Sequence, residues 1–365
     1  MKALLITKTA NIKMIKNSLV INENSYLPNE IDFTDIFIDR QDGYISLKAL
    51  RFLAANNVNL HIMHYSGTVI GTFTPIENID GKVKLAQFEA YTSNKEAIAN
   101  AILQAKLKAQ HNLLLQLSKR YPISTEYTPH GKKLISIEGD YANFYFKQLG
   151  IVFNTLAPEF HFVSRNNNSH NIKAQDPINA MLNFAYSILQ ALTLKHINYY
   201  GLLPDISFLH ELHNSKHSLA FDLMEFSRPI ADLAVIKTLE SKKLSWDDFA
   251  YSELKTCRLN PSAQHFLLAN LQVLLNMNVE GRQLETYHKE NIKAFTDSLS
   301  KKKLPSFKVI TPPLYESESV IERLRNMGIA ERKKLGINKN TLWYIQKNLA
   351  DNKPVKIYSK ILAKL

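Results

Sequence analysis

The sequence predicts an α+β protein: a β-rich N-terminal domain over residues 1–88, a larger all-α domain over 89–300, and a basic helical tail over 301–365 with the order of a helix-turn-helix. Three observations carry this. Short segments rich in branched and aromatic residues, bounded by Asn, Asp or Gly, fill roughly the first 75 residues. Apolar spacing then changes to the helical period. Charge is uneven as well. Residues 301–365 hold 15 Lys+Arg against 5 Asp+Glu, a net of +10, which leaves 30 against 28, a net of +2, in the first 300.

Taken in order, Ser18-Leu19-Val20-Ile21, Asp35-Ile36-Phe37-Ile38 and Leu60-His61-Ile62-Met63-His64 read as strands. Ser66-Gly67 separates two extended runs as a hairpin turn would. Between these strands, residues 46–56 (SLKALRFLAAN) place Leu47, Leu50 and Leu53 on one helical face. Pro75 and residues 77–82 look like a turn-rich connector. Ser93 with Glu96 three residues later forms a capping box and predicts a long helix to about Arg120. A second helix surrounds residues 138–150. A third opens with Asp176-Pro177 and is apolar nearly all round, so it is expected at the centre of the core. Further helices are predicted over 219–240, 262–277 and 282–300.

Composition narrows the function. The chain has 365 residues, is 45% hydrophobic and 21% charged, and carries a net charge of +12, as expected of a globular protein with about two domains of roughly 150 residues. Cys257 is the only cysteine, which rules out an internal disulfide and fits a reducing cytoplasm. The run Ala3 to Ile6 is too short for the core of a signal peptide. Residues 180–194, the most apolar helix, are interrupted by Asn183 and Gln190 and fall short of the ~20 residues a membrane span needs. No GxGxxG or GxxxxGK[ST] occurs among only 11 glycines, so the usual grounds for a nucleotide site are missing. Polyanions are the natural partners of such a basic chain.

Three segments bring together side chains that are unfavourable to leave unpaired. Glu138, in ISIEGDYANFYF, shares a helical face with Tyr141, Ala142 and Tyr145, so it must reach solvent, a cation or a metal. His210, His213 and His217 follow Ile206, Phe208 and Leu209; a zinc site is disfavoured because no cysteine lies nearby and Asn214-Ser215-Lys216 reads as a turn. Asp222 and Glu225 lie one turn apart amid Leu219, Phe221, Leu223, Met224 and Phe226. Two acids so placed call either for a divalent ion between them or for a salt bridge to Arg228. Mixed oxygen and imidazole ligands fit Mn²⁺ or Mg²⁺, and one such ion in a basic protein suits phosphodiester chemistry.

The segments GLLPDISFLH and FDLMEFSRP, preceded by DPINAMLNFAYSIL and by the helix of IEGDYANFYF, resemble CRISPR-associated protein one, the adaptation integrase. The resemblance runs from ISLKALRFL to about residue 300 and rests on order, spacing and sequence together. It implies a β-rich domain followed by an α-helical catalytic domain. It places metal-binding and catalytic roles on Glu138, His210 and Glu225, with Asp222 supporting. Ser207 stands where the family usually has Gly, and Phe226-Ser227 replaces a commoner Glu-Phe. His213 and His217 receive no family role and are read as lying behind the ligands or facing DNA. The resemblance also implies a homodimer, dimerised through the β domain, that joins CRISPR-associated protein two. That assembly would insert short DNA fragments into a repeat array through attack of a DNA 3′-hydroxyl on a phosphodiester, and the reverse displacement would cut branched DNA.

In the tail, Val320, Leu324 and Met327 can face a core and Gly328 ends that helix. Residues 330–335 form a short second helix, Gly336-Ile337-Asn338 a turn, and residues 340–349 a third helix with Leu342, Ile345 and Leu349 inside. Lys339, Asn340, Trp343, Lys347 and Asn348 would then face a DNA major groove; the alternative packs Trp343 inward against the main domain. The tail also resembles that of the casposases, related transposon integrases, which makes a casposase the second reading. A non-catalytic DNA-binding protein, with Glu138, His210 and Glu225 in ordinary ion pairs, is the third.

Overall fold

Two four-stranded sheets form the N-terminal part of the computed structural model, which describes residues 1–64, 67–75, 80–128, 134–165, 174–211, 217–241, 244–253, 256–310, 312, 324–325 and 327–350. The strands are β1 (Ala3–Ile6), β2 (Ala10–Ile15), β3 (Ser18–Ile21), β4 (Asn24–Tyr26), β5 (Asp35–Ile38), β6 (Gly43–Ile45), β7 (Asn59–Met63) and β8 (Val69–Phe73). One sheet runs β1-β5-β7-β8, parallel until the antiparallel β7–β8 pair; the other runs β4-β3-β2-β6. Ile12, Leu19 and Ile21 of the second sheet share a core with Ile36, Ile38 and Leu60 of the first, together with Ala49 and Leu53 of α1 (Leu47–Ala55). Every residue of β5 is buried, because the opposite face of its sheet lies on the helices through Leu5, Phe37 and Met63. A parallel strand covered on both faces reads as a continuous apolar run, as Ile36-Phe37-Ile38 does after the buried Asp35.

Gly43 is required where it stands: its φ is +144°, and a Cβ there would lie 2.1 Å from the Ala10 carbonyl oxygen. The half-buried Ser46 hydroxyl caps α1 by accepting from the Ala49 amide.

The helices are α2 (Gly81–Leu117), α3 (Leu134–Leu156), α4 (Pro177–Tyr199), α5 (Ser218–Met224), α6 (Arg228–Ser241), α7 (Pro261–Leu275) and α8 (Leu284–Ser300). As expected, α4 is buried nearly all round, and Asp176 caps it by accepting from the Asn179 amide at 2.9 Å. Polar contacts join the two parts. Gln272 donates to the Ala3 carbonyl, Asn276 to the Met1 carbonyl, and Lys195 pairs with the buried Asp35 at 3.0 Å.

Two expectations need correction. The long helix does not start at Ser93: Asp80 caps it by accepting from the Lys82 amide, and it runs through to Leu117 with a kink at Asn94. The Ser93 hydroxyl donates backward to the Glu89 carbonyl, a bond that competes with capping and bends helices. The helix predicted over 219–240 is broken at Glu225–Ser227, a single 3₁₀ turn. Pro229 explains the break, because it has no N–H for the Glu225 carbonyl and its ring crowds that oxygen. The turn closes instead through Glu225 N–H on the Asp222 carbonyl and Arg228 N–H on the Glu225 carbonyl.

In the tail, α9 (Ile329–Lys334) and α10 (Lys339–Ala350) are joined through Gly336, whose φ of +60° suits glycine. Leu324, Met327, Ile337, Leu342 and Ile345 are buried. Trp343 is 59% exposed, so the alternative that packs it inward is overturned. Val320 lies outside the described residues, with most of the helix expected before Gly328. No helix among the described residues is long and apolar enough to cross a membrane.

Candidate active site

Packing of α2 against α3 and the Glu225 turn brings Glu138 and Glu225 to opposite sides of one ammonium. Lys106 Nζ lies 2.5 Å from Glu138 Oε1 and 3.0 Å from Glu225 Oε2. On its other side, Glu225 Oε1 accepts from Arg228 Nη1 at 2.7 Å. Glu225 is fully buried, Lys106 largely so, and Glu138 partly exposed. Burial pushes the Glu225 carboxyl up, but Arg228, Lys106 and His210 outweigh it and hold it at about 2. Burial lowers Lys106, yet Glu225 and Glu138 raise it further, so it stays charged.

His210 sits in a loop built for it. The buried Asp222 accepts from the amides of Phe208, Leu209 and His210 at 2.6, 3.0 and 3.1 Å, and its Oδ1 lies 2.7 Å from His210 Nδ1. With Nδ1 committed to Asp222, Nε2 of the exposed ring is the nitrogen that can ligate. Gln87 of α2 clasps the approach to this loop, donating to the carbonyls of Leu203 and Ile206 and accepting from the Leu203 amide. Ser207, buried, donates to the His210 carbonyl at 2.8 Å and closes the turn. Asp222 is thus committed to the His210 loop, while Glu225 makes the salt bridge to Arg228 that its spacing called for as one of two options.

Among the described residues, no group of three or more His, Cys, Asp or Glu stands as a formed metal cage. The reason is visible in the geometry, since the Lys106 ammonium lies between the carboxylates. The donors nevertheless fit a hard divalent ion. Glu225 Oε2 is buried, and the Lys106 ammonium 3.0 Å away is the cation that faces it. Two carboxylates and an imidazole are the ligand types Mn²⁺ and Mg²⁺ accept.

The family model described as CRISPR associated protein Cas1 matches residues 4–273 of this chain. The chain belongs to the Cas1 family. Among Cas1 relatives, the "CRISPR-associated endonuclease Cas1 3" of Thermodesulfovibrio yellowstonii is 24% identical over 296 residues, 77% of this chain and 88% of the relative. The "CRISPR-associated endonuclease Cas1 1" of Archaeoglobus fulgidus is 26% identical, over 65% of this chain and 77% of the relative. A solved casposase bound to integration product matches with a TM-score of 0.77 and 26% identity, covering 90% of this chain and 99% of that one. The Cas1 protein of Thermotoga maritima shares the fold, with a TM-score of 0.69 at 19% identity over 84% of this chain and 100% of its own.

His213 lies outside the described residues; His217, exposed, pairs through Nδ1 with Asp205 at 2.9 Å. In the tail, Trp343 is stacked under Lys347, whose Nζ is 4.9 Å from the ring centroid, and the Asn340 amide donates to Asn338 in the turn before α10. Lys339 is exposed at the start of that helix. Sequence reasoning missed Lys106 and Gln87. The signal was present: each interrupts an apolar stripe of α2, Lys106 between Ile102 and Ala109, Gln87 between Val83 and Ala90, and a polar residue inside such a stripe needs a partner.

Proposed function

We propose that this chain is a divalent-metal-dependent DNA integrase and endonuclease of CRISPR adaptation, joining short DNA fragments to a repeat array by attack of a 3′-hydroxyl on a phosphodiester and nicking or cleaving branched DNA by the same displacement. The observation that carries the reading is the convergence of Glu138 and Glu225 on one cation, with the oriented His210 loop beside them. Glu138, Glu225 and His210 would hold Mn²⁺ or Mg²⁺, which supplies Lewis-acid polarisation of the scissile phosphate. Asp222 fixes the imidazole tautomer, and Arg228 holds Glu225 charged and in place. Lys106, displaced from between the carboxylates, becomes a cation available to a phosphate oxygen.

A homodimer fits the β domain, whose edge strand β8 leaves Ile70 65% exposed beside the exposed Ile62. A relative of the same fold occurs in a Cas6-RT-Cas1–Cas2 complex, which supports CRISPR-associated protein two as partner. The exposed Lys339, Asn340, Trp343 and Lys347 of α10 supply a DNA-facing surface of helix-turn-helix type. A casposase is the second reading, favoured by the likeness over 90% of the chain to a casposase bound to integration product. Both readings share one active site.

Joining of a labelled DNA fragment to supercoiled plasmid in Mn²⁺ or Mg²⁺ tests the reaction. Glu138→Gln, His210→Ala and Glu225→Gln are each expected to abolish joining and nicking while the protein stays folded by circular dichroism. Joining that survives all three changes, or that persists in EDTA, overturns the assignment.

A further inference from the structure

Three buried polar side chains from three elements form a line that ends in the Glu225 turn. His288 of α8 is 1% exposed; its Nδ1 lies 2.9 Å from Ser227 Oγ and its Nε2 lies 3.0 Å from Thr193 Oγ1 of α4. Thr193 Oγ1 also lies 2.7 Å from the Leu189 carbonyl, one turn back on α4. Proton counting settles the direction of the line. A carbonyl only accepts, so the single Thr193 proton goes to Leu189. Thr193 Oγ1 must then accept from His288, which places the imidazole proton on Nε2. Nδ1 is left as an acceptor, and Ser227 donates to it. The chain thus runs Ser227 O–H to His288 Nδ1, His288 Nε2–H to Thr193, and Thr193 O–H to the Leu189 carbonyl, with every group satisfied once.

Where this line ends matters. Ser227 is the last residue of the 3₁₀ turn that begins with Glu225, and Pro229 has already removed the helical bond that would otherwise tie that turn into α6. Side chains add to the two backbone bonds that close the turn. Phe226 stacks on Phe307, with ring centroids 5.0 Å apart, and packs against the His288 ring at 5.8 Å; Ser227 is pinned by hydrogen bond to that same ring.

We propose that Ser227, His288 and Thr193 are positioning residues that fix the Glu225 turn through a single directional hydrogen-bond chain, and so set the affinity of the carboxylate site for a divalent cation. The inference rests on the metal-binding reading of Glu138, His210 and Glu225. Outer hydrogen bonds that orient a metal ligand typically alter affinity by about 10–100-fold.

The test is Mn²⁺ titration of the full chain followed by electron paramagnetic resonance, with metal-free thermal unfolding in parallel. Ser227→Ala is expected to weaken Mn²⁺ binding about tenfold. Ser227→Thr, which keeps the hydroxyl, should restore most of that loss. Thr193→Val, isosteric and remote from the turn, should weaken binding in the same direction by a smaller factor and serves if Ser227→Ala does not fold. In a Glu225→Gln background, Ser227→Ala should produce no further loss, because the side chain it positions is already neutralised. Unchanged Mn²⁺ affinity in Ser227→Ala, or an equal loss in the Glu225→Gln background, overturns the proposal and leaves the line a stabilising contact only. Wild-type protein that binds no Mn²⁺ in a Glu225-dependent manner overturns the metal reading itself, and this inference with it.

Discussion

Lys106 Nζ lies 3.0 Å from Oε2 of the fully buried Glu225, placing a protein cation against a carboxylate expected to ligate a metal. The charges of Lys106, Arg228, Glu138 and Glu225 cancel, so the site is electrostatically complete before any ion arrives. Adding a divalent ion requires Lys106 to withdraw. Lys106→Met is therefore expected to weaken the metal-free fold by about 3 kcal/mol, the low end for stranding a buried charge because Glu138 is partly exposed. The same change should tighten Mn²⁺ binding and let Mn²⁺ restore most of the lost stability. Urea unfolding in EDTA and in Mn²⁺ checks both; equal stability of variant and wild type in EDTA would contradict the argument.

The Asp222 carboxylate accepts from three consecutive amides and faces His210 Nδ1. Asp222→Asn keeps the shape but turns one acceptor oxygen into an NH₂ group aimed at N–H donors. The expected effect is a stability loss of about 2 kcal/mol and a fall in joining rate of at least roughly tenfold through misorientation of His210. Unfolding curves and plasmid-joining rates measure the two separately. A variant that loses stability but joins DNA at the wild-type rate would remove Asp222 from the orientation of His210.

Acid sensitivity should come from histidines as well as carboxylates. Burial holds His288 down at about 3, against 6.5 for the free side chain, and burial followed by the proximity of His288 lowers His196 as well. Between those two values, the unfolded chain binds a proton that the folded chain refuses. Stability is thus unaffected above about pH 6.5 and falls as pH drops toward 3. His288→Gln should give a shallower decline between pH 6.5 and 4.5 than wild type, whatever its baseline stability. Parallel declines in the two proteins would show that His288 does not contribute.

What was legible in the sequence follows from how local each signal was. Ser18–Ile21 and Asp35–Ile38 were read with their observed bounds, because branched residues between polar turns specify strands over a few positions. The Asp176 cap of α4 was equally local. Glu138, His210, Glu225 and Arg228 were singled out by type and apolar context, and three of the four meet as charges around the site. Their partners were not legible. Lys106 reaches Glu138 and Glu225 only through the packing of α2, and the Ser227–His288–Thr193 line joins residues brought together by three separate helices or turns. The Ser93 error was of another kind: the same hydroxyl can cap forward or bond backward, and the kink at Asn94 follows the second option.

The tail offers a test independent of the metal. Phe307 stacks on Phe226, and the Lys308 backbone exchanges hydrogen bonds with Asn291 in both directions, so the chain is still packed on the body as far as residue 308. Cutting at residue 301 would strip that packing and confound stability with binding. Point changes on the exposed face of α10 avoid this. Lys339→Gln and Lys347→Gln should each reduce the slope of log affinity against log salt for duplex DNA by about 0.9 if the side chain neutralises a phosphate. Trp343→Ala should weaken binding at every salt concentration, because it removes both the exposed ring and the surface on which Lys347 lies. None of the three should shift thermal unfolding of the body, since Leu342 and Ile345 on the opposite face of α10 remain buried. Fluorescence anisotropy across a salt series, with plasmid joining measured alongside, separates the contributions. Unchanged slopes in both lysine variants would assign DNA contact to the helical body and leave α9 and α10 without a role in it.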